Sequence, residues 1–188
     1  MRKAIAIGTS AGGINALDFL LPCIPSGVQH SFFVVQHISP DSDSFFIQML
    51  NAKCQVKIKE ACDTEEILPG VVYFAPPGYH LLVEDDYTFS LDVDEKVNFA
   101  RPSIDVLFET AAEVYGKNLT GILLTGANAD GGSGLKTIYD AGGFTIVQDP
   151  NEAKFRDMPE AALNLFKPQQ VLNLEEIARY LEQLHSSS

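Results

Sequence analysis

Apolar and polar positions fall into blocks whose length and period define the elements of the chain. Ala4–Ile7 is a short apolar run stopped by Gly8, the pattern of a strand buried on both faces. Ile14, Leu17, Leu20 and Leu21 then recur at helical spacing, so a helix begins near Gly12 or Gly13. Phe32–Gln36 reads as a second buried strand with His37 at its carboxyl end. Ser39-Pro40-Asp41 supplies turn and cap chemistry before the helical spacing of Phe45, Phe46, Met49 and Leu50. A strand near Val56–Ile58 leads to the acidic loop Asp63–Glu66, and the turn Leu68-Pro69-Gly70 precedes a strand over Val71–Ala75. His80–Glu84 and Thr88–Val93 flank Asp85-Asp86-Tyr87 as an antiparallel hairpin at the sheet edge. Ile104, Leu107, Phe108, Ala111 and Tyr115 share one helix face, started by Arg101-Pro102-Ser103 and ended by Gly116. Leu119–Leu124 is a strand, the loop Thr125–Ser133 leads to a helix ending near Tyr139, and Phe144–Val147 is a further strand. Asn173 with Glu176 makes a capping box for a last helix with Ile177, Leu181 and Leu184 inside.

Strands alternating with helices predict an α/β fold: a doubly wound, mostly parallel sheet flanked by helices, with the antiparallel hairpin as an excursion. The 188 residues suffice for one substantial core, so residues 1–185 are expected to form a single domain and 186–188 a disordered tail. A net charge of −12 argues against nucleic acid or an anionic membrane as partner. Cys23, Cys54 and Cys62 have no metal-site spacing and fit reduced thiols. With no signal-peptide layout and no apolar stretch long enough to span a bilayer, a cytoplasmic location without membrane insertion is expected.

The chemistry concentrates where strands end. Gly8-Thr9-Ser10-Ala11-Gly12 has the G-x-S-x-G spacing of a nucleophile elbow, in which small residues let the chain turn sharply and lift the serine hydroxyl clear of the sheet. The helix start just beyond offers unpaired N–H groups to a developing oxyanion. Ser10, His37 and Asp130 each follow the carboxyl end of a predicted strand, the edge where open α/β sheets form ligand crevices. A serine that attacks, a histidine that takes its proton and an aspartate that fixes the imidazole tautomer are what acyl transfer needs at neutral pH. Each also has a plainer role: Ser10 as a helix cap, His37 as a strand-end histidine, Asp130 as a cap for the helix after Gly131-Gly132. His80 and His30 compete with His37 for the part of the base.

Several ordered motifs carry a resemblance. They are Ala6–Gly13, Val34–Ile38, Val72–His80, Arg101–Phe108 and Leu123–Gly126 through Asp130-Gly131, with Gln148-Asp149 and Met158-Pro159. Through them the chain resembles, over nearly its whole length, the catalytic domain of the chemotaxis protein-glutamate methylesterases of the CheB type. The resemblance implies that Ser10 is nucleophile, His37 general base and Asp130 the orienting acid, with the backbone N–H groups of Ala11 and Ala127 as oxyanion hole. It implies hydrolysis of glutamyl methyl esters on cytoplasmic helices of methylated chemoreceptors, with glutamine deamidation as a related activity, and neither metal nor organic cofactor. Arg101 lies in a family motif and is a candidate for binding substrate or for holding loops. Two departures stand out. The family usually has Met-Gly where this chain has Ala127-Asn128, which changes the side chains around one oxyanion donor. Relatives also commonly carry a receiver domain, whereas this chain begins at the catalytic strand, so an open site active from the start is expected, with any regulation coming from a separate regulatory protein or from receptor proximity.

Two other readings compete with the esterase. One is a non-catalytic relative that binds a receptor or signalling partner through the same crevice. The other, a Rossmann-like nucleotide site, is weaker, because Ser10 stands where the second fingerprint glycine belongs and no ribose-binding acid follows the second strand.

Overall fold

β1 (Lys3–Thr9) runs through the middle of the molecule, and the rest of the sheet is laid down on either side of it. The computed structural model describes residues 1–37 and 45–186; the expected turn Ser39-Pro40-Asp41 and the terminal Ser187 and Ser188 lie outside them. On one side of β1 come β2 (His30–Gln36), β4 (Val71–Phe74) and β3 (Lys57–Glu60). On the other come β7 (Leu119–Leu123), β8 (Phe144–Gln148) and β9 (Gln170–Leu172). All the pairings in this seven-stranded sheet are parallel. β5 (His80–Val83) and β6 (Phe89–Asp92) form the separate antiparallel hairpin.

Parallel strands joined by helices are covered on both faces, which is why they read as unbroken apolar runs. Successive residues point to opposite faces. Ala4, Ala6, Phe33, Val35, Tyr73 and Leu119 face a core shared with α3 (Ile104–Tyr115), α4 (Gly132–Asp140), α5 (Asp157–Leu165) and the hairpin residues Leu81, Val83 and Phe89. Ile5, Ile7, Phe32, Val34, Val72 and Ile122 face the other core, closed by α1 (Gly13–Leu20), α2 (Phe45–Lys53) and α6 (Leu174–Glu182). The hairpin therefore roofs one face of the sheet and packs on α3. The Asn173–Glu176 capping box forms as expected, with both reciprocal hydrogen bonds present. A 3-10 turn, Gln183–Ser186, closes the described chain. None of the described helices is long and apolar enough to cross a membrane.

Two elements escape the periodicity argument. α5 carries Pro159 in its first turn and buries only Met158, Pro159 and Ala162, too sparse a stripe to stand out. β9 is three residues with Gln170 and Val171 exposed, held by pairing with β8 at Ile146, Val147 and Gln148.

The sheet order sets the site. β1 has its sequence neighbour β2 on one side and the distant β7 on the other, so the winding direction reverses there. At such a reversal the loops leaving the two sides diverge and open a crevice at the carboxyl ends. Register aligns Thr9 with Gln36 and Gly8 with Leu123, so the loops that carry Ser10, His37 and Asp130 leave the sheet at one level. A Cβ on Gly8 would fall 2.3 Å from Ile104 Cγ2, so that glycine lets the start of α3 descend onto the end of β1.

Candidate active site

Ser10 sits on a turn stitched to its neighbours by backbone groups. Its N–H donates to Thr125 O at 3.0 Å, and Gly13 N–H donates to Ser10 O at 2.9 Å. Gly12 is left-handed at φ +81°, and a Cβ there would press within 3.1 Å of Thr125 Oγ1 and Lys154 Cβ, so glycine is required twice over. Thr125 Oγ1 donates to Ala11 O at 2.9 Å and accepts from Phe155 N–H at the same length. Gln36 Nε2 donates to both Ser10 O and His37 O at 2.9 Å, tying the serine turn to the histidine loop. The helix-cap role is not taken by Ser10: α1 is capped by Gly12 with no side-chain hydrogen bond.

His37 lies at the end of β2 with its side chain 13 % exposed, and its Nε2 is 2.8 Å from Asp130 Oδ2. An ionised carboxylate only accepts, so Nε2 carries the proton and Nδ1 presents its lone pair to the cavity. Asp130 is fully buried. Its Oδ2 also accepts Ile104 N–H at 2.7 Å, while Oδ1 accepts Ser103 Oγ–H at 2.8 Å, Asn98 Nδ2–H at 3.0 Å and Asp105 N–H at 3.3 Å. Burial pushes its pKa up, but the hydrogen bonds from His37, Asn98 and Ile104 outweigh burial and hold it below the ordinary aspartate value. Asp130 serves the amino end of α3; α4, the helix it precedes, is capped by Gly131 with no side-chain bond.

Beside it, Asp105 accepts Gly134 N–H at 2.6 Å and Asn98 Nδ2–H at 2.8 Å. Burial raises its pKa; the Gly134 N–H opposes that rise and the charge of Asp130 adds to it. The side chains of Asn98, Ser103 and Asp105 are therefore structural parts of the site that periodicity could not single out. Asn128 is another. Its Oδ1 accepts Asp130 N–H at 3.0 Å, an Asx turn whose sequence signal is the Asn-x-Asp spacing. That bond fixes the amide so that Nδ2 points at His37 Nδ1, 3.2 Å away, and at Ser10 Oγ, 3.4 Å away. Among the described residues, Ser10 Oγ meets His37 only through this amide.

The other histidines are placed elsewhere. His80 is buried; its Nδ1 accepts Ser103 N–H at 3.1 Å and its Nε2 donates to Glu95 O at 3.0 Å, so neither nitrogen is open to Ser10. His30 is at the amino end of β2, the opposite edge of the sheet. Arg101 Nη1 donates to Val93 O and Asp94 O at 2.7 and 2.8 Å, holding that loop, while the residue also lines the cavity. The backbone N–H groups of Ala11 and Ala127 donate to no backbone carbonyl among the described residues. A cavity of about 360 Å³ opens over Ser10 and His37, lined further by Gly78, Lys96, Asn98 and Phe99. A hydroxyl and an imidazole lone pair backed by a buried carboxylate at one cavity, with the N–H groups of Ala11 and Ala127 on the flanking loops, are the parts that acyl transfer uses.

Comparison with known proteins follows the same line. Residues 5–181 match a family model described as CheB methylesterase. A relative from Leptospira interrogans serogroup Icterohaemorrhagiae serovar copenhageni is 50% identical over 186 residues, 99% of this chain and 96% of the relative. The protein-glutamate methylesterase/protein-glutamine glutaminase of Salmonella typhimurium is 35% identical over 182 residues, and the aligned part is 52% of its length. The crystal structure of the Thermotoga maritima CheB methylesterase catalytic domain superposes with a TM-score of 0.92 at 32% identity, covering 98% of this chain and 99% of that one.

Proposed function

The chain belongs to the CheB methylesterase family, and on that premise we propose that it is a serine hydrolase that removes methyl esters from glutamyl side chains of chemoreceptors. The observation that carries the mechanism is the 2.8 Å pair between His37 Nε2 and the buried Asp130, which leaves Nδ1 facing the cavity that Ser10 lines. Ser10 Oγ attacks the ester carbonyl carbon while His37 Nδ1 takes its proton. Asp130 steadies the imidazolium that results. The negative charge on the carbonyl oxygen is met by the N–H groups of Ala11 and Ala127. Collapse of the tetrahedral species breaks the C–O bond, and the imidazolium returns its proton to the departing methoxide, so methanol leaves. Water, deprotonated by His37, then hydrolyses the glutamyl–Ser10 ester to free glutamate and restores the enzyme. The same sequence with ammonia as leaving group deamidates glutamine, the second activity for which relatives are named. The chemistry acts on cytoplasmic receptor helices.

The binding-module alternative has less support, since relatives similar over nearly the whole chain bear hydrolase names. The decisive experiment measures methanol release from methylated receptor fragments, with fluorophosphonate labelling alongside. Ser10→Ala is expected to abolish both while leaving the melting temperature unchanged, because the hydroxyl donates to nothing in the core. Turnover by pure Ser10→Ala protein at the wild-type rate would sink the mechanism.

A further inference from the structure

One large apolar side chain at the mouth of the cavity is held where elementary packing would not leave it. Phe99 is 97% exposed and its backbone is left-handed, at φ +63°. It occupies the second central position of a tight turn whose first, Asn98, is also left-handed at φ +49°. Val97 and Ala100 close the turn by exchanging both N–H···O bonds, at 3.1 and 2.9 Å. Such turns favour Asn-Gly, because a Cβ at the second position crowds the backbone. Asn98 fits this pattern; a bulky aromatic does not, and burying none of its ring recovers nothing.

The turn is also anchored to the chemistry. Asn98 Nδ2 bridges Asp130 Oδ1 and Asp105 Oδ2, so Phe99 stands in a fixed relation to the Ser10 cavity that it lines. The lining of the cavity differs in charge from the chain just outside it, where Asp94 and Glu95 directly precede Lys96. The chain carries 25 acidic and 13 basic residues, yet the described lining of the cavity contains Lys96 and Arg101 and no carboxylate. An apolar post with a cation beside it suits a partner that is helical, amphipathic and acidic.

We propose that the Val97–Ala100 turn, with Lys96 just before it, is the docking element for the substrate helix: Phe99 packs on the helix's apolar face and Lys96 meets its carboxylates. This rests on the hydrolase reading above and adds to it the residues that select a receptor helix over a small ester. Binding made equally in ground and transition state changes KM and leaves kcat alone.

The experiment compares a helical receptor peptide carrying glutamyl methyl esters with p-nitrophenyl acetate, in wild type, Phe99→Ala, Phe99→Gly and Lys96→Glu. Loss of one aromatic contact is expected to raise KM for the peptide about tenfold, with kcat held. Hydrolysis of p-nitrophenyl acetate, which has no helix to dock, should fall much less than kcat/KM for the peptide in each variant. Phe99→Gly should melt about 2–4 °C above Phe99→Ala, since glycine relieves the left-handed backbone, while its peptide KM rises equally. Lys96→Glu should raise peptide KM and reverse its dependence on salt, since salt then screens a repulsion. Wild-type KM for the peptide in both Phe99 variants and in Lys96→Glu would overturn the docking element. So would an equal fall on both substrates, which would make the turn a prop for the cavity. Failure of the hydrolase reading looks different: wild type itself would then release no methanol and take up no fluorophosphonate.

Discussion

Asp130→Asn tests the site and the fold in one substitution. The carboxylate divides its work: Oδ2 takes the His37 and Ile104 donors, and Oδ1 those of Ser103, Asn98 and Asp105. An amide keeps one oxygen. Pointed toward His37 and Ile104, that oxygen would leave NH₂ against the donors of Asn98 and Asp105, with only the Ser103 hydroxyl able to reverse. Pointed the other way, it leaves Ile104 N–H unpaired in the core, because His37 can move its proton to Nδ1 and accept from the amide, which sets Nδ1–H against Asn128 Nδ2–H only at the cavity face. The second orientation is cheaper. One buried unpaired N–H costs about 1–3 kcal/mol, or a fall of roughly 3–10 °C in melting temperature for a domain of this size. It also puts a proton on the nitrogen that takes one from Ser10 in the proposed mechanism, so kcat should fall on the order of 10⁴. Stability should respond to pH in a defined sense. Because folding depresses the Asp130 pKa, its contribution is present above the ordinary aspartate range and is lost as pH falls through the lower, folded value. The gap in stability between wild type and Asp130→Asn should therefore narrow in strong acid. Methanol release and thermal melts at neutral pH, with the melts repeated in acid, read all three effects. A folded Asp130→Asn protein with near-native kcat would refute the tautomer argument, and an unchanged melting temperature would refute the buried-donor argument.

Two further substitutions probe the surroundings. Asn128→Gly removes the amide that occupies the His37 lone pair 3.2 Å away; freeing the base from one neutral hydrogen bond should raise kcat about two- to tenfold. A tenfold fall at constant KM would instead make Nδ2 an oxyanion donor. Gly134→Ala would set a Cβ 2.7 Å from Phe108 Cβ and 2.9 Å from Asp105 Cα, where α4 crosses α3. That overpacking should cost about 1–3 kcal/mol by denaturant titration, and an unchanged midpoint would show that the two helices separate freely.

Much of this protein follows from local pattern. Strands such as Ile5–Ile7, Phe32–Val35 and Val71–Phe74 are legible because both of their faces are buried, so every residue is apolar and the run ends at the turn residues. The α6 capping box and the Ser103 start of α3 are legible because a cap is a contact between residues three apart. The elbow at Ser10 is legible because small residues are a steric demand of the turn itself. Contacts across the sheet are not local. The sequence pattern brings Ser10, His37 and Asp130 to strand ends, but strand order decides that β1 lies between β2 and β7, and with it that residues 93 apart meet at 2.8 Å. Only the tertiary structure seats Asp130 at α3 instead of the helix after it, shuts His80 between Ser103 and Glu95, and turns Asn128 toward the base. The physical reason is that a buried polar group must find its partners wherever packing brings donors and acceptors together, and for these residues the partners come from loops that the chain pattern does not connect.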